Sequence, residues 1–112
     1  MAQDFERDAQ SSISNDSSSP TTIRSSNGDD AIVGINVANK GTSQITITIL
    51  ITKGSDGDFI IIKDAPIPVG SSLQVLDGGA KLIMQANDVM KAYCSTASSA
   101  DIWVSVVDDI ST

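Results

Sequence analysis

The sequence predicts an all-β protein: a single β-sandwich of 7–8 short antiparallel strands, jelly-roll or immunoglobulin-like, preceded by an extended Ser-rich N-terminal arm. Three observations lead there. From Ala31 onward, short apolar runs begin at roughly 8 to 14 residue intervals and are parted by turn residues, the spacing of a sandwich or small barrel. The run Ile45–Thr52 alternates isoleucine with threonine or leucine, a period of two in residues that favour strands. No stretch carries an apolar stripe long enough for a stable helix.

Residues 1–30 form the predicted arm. Between Ser11 and Asp30 eight of twenty residues are serine, and only Ile13 and Ile23 are large and apolar. Such a segment buries too little apolar area to offset the entropy of ordering it, so it is expected to be mobile by itself. Residues 1–10 could form a short helix with Phe5 and Ala9 on one face, too short to persist unaided.

Residues 31–112 form the predicted domain. In Ala31–Ala38, Val33, Ile35 and Val37 share a face, and after Asn39-Lys40-Gly41 comes the Ile45–Thr52 strand, expected at the centre of a sheet. Lys53–Asp58 is a turn and Phe59–Lys63 the next strand. Two prolines in Asp64–Gly70 bar a central strand and predict an extended edge connection. Ser71–Leu76, a turn at Asp77-Gly78-Gly79, Lys81–Met84, Val89–Cys94 and Ala100–Val107 complete the set. With few aromatics, the core must be aliphatic, stabilised at about 25 cal/mol per Å² of apolar surface buried.

Composition narrows the function. The chain of 112 residues has a net charge of −7 and no histidine, the commonest general base and metal ligand near neutral pH. Seven basic residues against fourteen acidic ones argue against a nucleic-acid groove. No apolar run is long enough for a membrane-spanning helix, and the charged first residues do not resemble a signal peptide. No catalytic residue, cofactor or metal ligand is therefore expected.

Individual candidates are weak. Asp56 and Asp58 flank Gly57 in a pattern that holds calcium in longer loops, and whether they bind a cation is open; a hairpin turn uses the same residues. Asp88, Asp101, Asp108 and Asp109 read as a solvated rim better than as an acid pair. Cys94 has no base to activate it and reads as buried filler. Trp103 is either buried or, if Ile102, Val104 and Val106 point inward, a surface contact together with Tyr93.

The runs Ile32-Val-Gly-Ile-Asn-Val-Ala-Asn39, Ser43-Gln-Ile-Thr-Ile-Thr48, Lys63–Gly79, Lys81-Leu-Ile-Met84 with Asn87-Asp88-Val89, and Thr96–Ser105 resemble small β-rich virion structural proteins of tailed bacteriophages, of the marine cyanophage type. The likeness spans residues 31–107 and consists of turn-and-strand patterns. It implies a structural virion component without enzymatic activity.

The expected function is therefore that of a phage structural protein, a decoration, cement or head–tail neck component in the virion, assembled in the host cytoplasm. Its partners would be capsid, portal, neck or tail subunits, with several copies per particle. The arm would supply the tether, with Phe5, Ile13 and Ile23 as apolar pegs and Arg7 and Arg24 as ionic contacts. The alternative is a tail-fibre or receptor-binding module that recognises a host surface glycan through Trp103 and Tyr93.

Overall fold

Alternation of apolar and polar residues recurs along most of the chain, and it generates strands rather than helices. The computed structural model describes residues 4–76 and 81–108, in which every regular element is a β-strand. In chain order these are β1 (Asp4–Gln10), β2 (Thr21–Ser25), β3 (Asp30–Asn39), β4 (Ile45–Lys53), β5 (Asp58–Ile67), β6 (Ser72–Leu76), β7 (Leu82–Met84), β8 (Asp88–Cys94) and β9 (Ala100–Asp108). The strands form two antiparallel sheets. One runs β1-β9-β3-β6, with β7 also paired to β3; the other runs β2-β8-β4-β5.

The Ile45–Thr52 alternation places Ile45, Ile47 and Ile49 in the interior, with β8 and β5 on either side of β4. β9 does the same with Ile102, Val104 and Val106, leaving Trp103 on the outer face. In β3 the buried set is Ile32, Ile35 and Val37, because an extra residue opposite β9 shifts the phase at Val33. Side chains of both sheets meet in one aliphatic core. Each fully buried isoleucine contributes about 1.5–3 kcal/mol relative to an exposed one.

The largest departure from expectation concerns the arm. Residues 4–30 do not stand apart from the domain: β1 pairs with β9 along its whole length, and β2 pairs with β8. No helix forms at residues 4–10. Ile13 and Ile23 are core residues. The serine-rich connection between β1 and β2 is fixed by its own polar groups: Thr21 Oγ1 accepts the Ser14 amide at 2.9 Å, and Asp16 Oδ1 accepts that of Ser18 at 2.8 Å. Ser14 O and Ala100 O accept the amides of Cys94 and Ile13 at 2.8 and 2.9 Å, stitching the connection to both sheets. Composition predicts mobility because side-chain apolar area is scarce; two isoleucines and backbone pairing with distant strands supply what composition does not show.

The proline-containing stretch is part of β5, which continues to Ile67 at the edge of its sheet, where Pro66 lacks no obligatory partner. The strand carries two irregularities against β4, at Ile61 and at Lys63–Asp64. The expected turn at Asp77-Gly78-Gly79 lies outside the described residues, as do Met1–Gln3 and Asp109.

Candidate binding faces

An irregularity in β2 determines what happens to Arg24. Thr22 pairs with Lys91 and Arg24 with Met90, so Ile23 is an extra residue on its strand. The two consecutive side chains therefore both turn inward, Ile23 into the core and Arg24 into the gap between the sheets. There the guanidinium, 9% exposed, contacts Asp8 Oδ2 at 2.7 Å and Asp30 Oδ2 at 3.0 Å, with Glu6 and Asp108 at 3.8 Å. Asp30 is fully buried, and its Oδ2 also accepts the Ser26 hydroxyl at 2.7 Å.

Burial works against both charges here. Its hydrogen-bonded contacts with Asp108, Ser26 and Arg24 and the charge of Arg24 outweigh it and hold Asp30 below the usual carboxylate range. Hydrogen bonds and charges of Asp8 and Asp30 likewise keep Arg24 protonated, its pKa raised despite desolvation. Arg24 is thus an internal tie between β2 and three strands of the other sheet. Of the five residues expected to contact a partner, Ile13, Ile23 and Arg24 are committed to the fold; Phe5 and Arg7 remain on the surface.

Register places Phe5, Arg7 and Ala9 on the outer face of β1, opposite Val107, Ser105 and Trp103 of β9. Phe5 is 88% exposed and Trp103 50%. The Arg7 guanidinium lies 5.4 Å from the centre of the Trp103 ring, within cation–π range. On one side a groove of about 650 Å³ runs past Phe5, Arg7, Val33 and Ser105. On the other, a groove of about 440 Å³ is bounded by Trp103, Ala9, Asn36 and Ala38.

Tyr93 lies on the other sheet. It pairs directly with Thr48 on β4, whereas Trp103 pairs with Asn36 on β3, so the two aromatic residues cannot share one ligand. Beside Tyr93 is a polar pocket of about 220 Å³, lined also by Asn15, Ser17, Thr46, Thr48, Asp64 and Ser95. Asp64 reaches it because Lys63 and Asp64 together oppose the single residue Thr48. Asp64 adopts φ 50°, a conformation uncommon outside glycine, asparagine and aspartate. Its amide donates to Thr48 Oγ1 at 3.0 Å, and that hydroxyl donates to Asp64 Oδ1 at 3.4 Å. Sequence reasoning missed Asp64, Thr48 and Asn15 as a group; the strand irregularity that unites them has no sequence signature.

The remaining carboxylates are dispersed. Asp101 pairs with Lys40 at 2.9 Å and accepts the Ser12 amide; the Lys40 ammonium holds its carboxyl below the usual range. Asp88 Oδ2 accepts the Gln85 amide at 2.9 Å. Asp56 pairs with Lys53 at 3.3 Å and Asp58 Oδ1 accepts the Thr52 hydroxyl at 2.7 Å, both within the β4–β5 turn. Among the described residues, no group of three or more His, Cys, Asp or Glu is arranged to hold a metal ion. Cys94 is buried, and burial pushes its thiol pKa up. Among the described residues, no helix is long and apolar enough to cross a membrane.

No protein-family model matches this sequence, and neither a curated protein nor a solved structure does.

Proposed function

We propose that the two sheets form a jelly-roll sandwich serving as a non-enzymatic structural component of a tailed-phage particle. It would seat on capsid, neck or tail subunits through the outer face of β1 and β9, in several copies per virion. The observation that carries this reading is the exposed Phe5, Arg7 and Trp103 face. Aromatic residues and arginine dominate the energetics of protein interfaces, and Trp103 with Arg7 over it is preorganised for such a contact. Two supports are independent of that face. The orders β1-β9-β3-β6 and β2-β8-β4-β5 correspond to the double Greek key of jelly rolls, an architecture used by viral capsid and lectin domains. The sequence resemblance to virion proteins points the same way.

Attachment through a free arm is replaced in this reading by attachment through the edge strand β1. The absence of histidine and the inert environment of Cys94 favour a structural role over catalysis. Co-sedimentation with purified particles of the parent phage tests it. Wild-type protein should sediment with particles, and the Phe5→Ala/Trp103→Ala variant should stay in the supernatant. Equal sedimentation of both would refute the docking face, and absence of the wild type from particles would refute the virion role.

A further inference from the structure

We infer that the pocket beside Tyr93 binds a single neutral saccharide ring, a site independent of the β1–β9 face. Tyr93, Thr48 and Asp64 form a row across β8, β4 and β5, and Asn15 and Ser17 of the β1–β2 connection build the wall above it. The chemistry of the lining selects the ligand. A carboxylate beside a carboxamide accepts and donates hydrogen bonds to neighbouring hydroxyls, and an aromatic ring packs against the C–H face of a pyranose. No lysine or arginine lines the pocket, so the Asp64 carboxylate disfavours phosphate, sulfate or an acidic sugar. One carboxylate also falls short of the oxygen set that calcium needs.

The polar groups are available. Thr48 occupies Asp64 Oδ1, but Oδ2 has no partner among the described residues, and neither does the Tyr93 hydroxyl or the Asn15 amide. Ser95 Oγ accepts the Thr46 amide at 3.0 Å, which leaves its own proton to donate. The left-handed Asp64 backbone is held by its two contacts with Thr48, so the carboxylate is positioned before any ligand arrives. A volume of about 220 Å³ accommodates one ring, which suits a terminal or branch sugar.

Titration of the full chain with D-galactose, D-glucose and D-mannose, followed by amide chemical shifts, tests the inference. At least one sugar should shift the amides of Thr48, Asp64, Tyr93 and Ser95 with a dissociation constant of about millimolar order, as expected for so small a ligand. Asp64→Asn should weaken binding about tenfold or more, because a charged acceptor becomes a neutral one. Asparagine tolerates positive φ and can still accept from Thr48, so this variant should melt like the wild type. Tyr93→Phe, which removes only the hydroxyl, provides a second fold-preserving variant and should weaken binding several-fold, whereas Trp103→Ala should bind like the wild type. No shift with any of the three sugars, shifts centred on Trp103, or undiminished binding by Asp64→Asn would overturn the site. No particle enters this assay, so its failure would leave the virion reading untouched.

Discussion

Replacing Arg24 by methionine removes a cation from between the sheets while keeping most of the apolar stem. Asp30, fully buried, then loses its charged partner, and Asp8, Glu6 and Asp108 lose their common counter-ion. Breaking a buried ion pair in this way costs about 3–5 kcal/mol. An independent bound follows from protonation. Asp30 can escape by taking up a proton, at about 1.36 kcal/mol per pH unit above an ordinary pKa of about 3.9, hence about 4 kcal/mol at pH 7 and about 1.5 kcal/mol at pH 5. For 112 residues, with an unfolding entropy of about 2.1 cal/mol/K per residue, the pH 7 loss lowers Tm by roughly 15 to 20 °C.

The pH dependence distinguishes this cause from lost packing. In the wild type the Asp30 pKa is depressed, so its contribution is present above the ordinary carboxylate pKa and is lost as pH falls through the depressed value. In Arg24→Met the buried carboxyl has a raised pKa, and that variant regains stability as pH falls from 7 toward 5. Urea unfolding of both proteins at pH 7 and pH 5, followed by circular dichroism, measures the difference. Arg24→Met/Asp30→Asn should recover at least half of the loss at pH 7. A loss below about 1 kcal/mol at pH 7, an equal loss at both pH values, or no recovery in the double variant would refute the reasoning.

Ile13→Ala and Ile23→Ala should each destabilise by about 2–5 kcal/mol in urea unfolding, and a chain lacking residues 1–30 should lose its dispersed amide spectrum; a folded truncated domain would contradict the pairing of β1 and β2. Trp103 is the only tryptophan and half exposed, so its fluorescence should be red-shifted and readily quenched by acrylamide, and Trp103→Ala should alter stability by less than about 1 kcal/mol. Gly57 has φ 99° in the β4–β5 turn, where its carbonyl accepts the Lys53 amide at 2.9 Å; Gly57→Ala should cost about 1–2 kcal/mol, read as a lower Tm. Asp101→Asn removes a pair whose contribution is present above the ordinary carboxylate pKa and fades as pH falls through the depressed value; with both partners partly exposed, the loss at pH 7 should stay under about 1 kcal/mol.

Strands whose partners complement a strict alternation were legible in advance. β4 reads as a strand because every second residue is isoleucine, and β9 because Ile102, Val104 and Val106 alternate, although that pattern leaves the side of Trp103 open and only the structure puts it outside. β1 was not legible, because its inward positions are Glu6 and Asp8, which in sequence look solvated; the cation that justifies them sits on a different sheet. Arg24 itself faces inward only because Ile23 is an extra residue on its strand, a register event that no local pattern announces. The same holds for the Tyr93 pocket, where Asp64, Thr48 and Asn15 come from three separate segments. Phe5 and Arg7, by contrast, lie exposed, on a paired strand rather than on a loose tether.

The pairing of β1 with β9 also constrains how the molecule comes into being. The bond between Ser12 and Asp101 joins residues 89 positions apart, so a growing chain holds β1 ready long before its partner has been synthesised. Closing so long a loop before any contact rewards it places such topologies among the slower folders, in about the millisecond-to-second range. During that wait the early segment must remain soluble and avoid pairing with copies on neighbouring ribosomes. Charged β1 and the serine-rich stretch after it suit that interval, since neither offers an apolar strand for premature association. The composition that disguises these residues as an arm is, in this light, a provision for the unfinished chain.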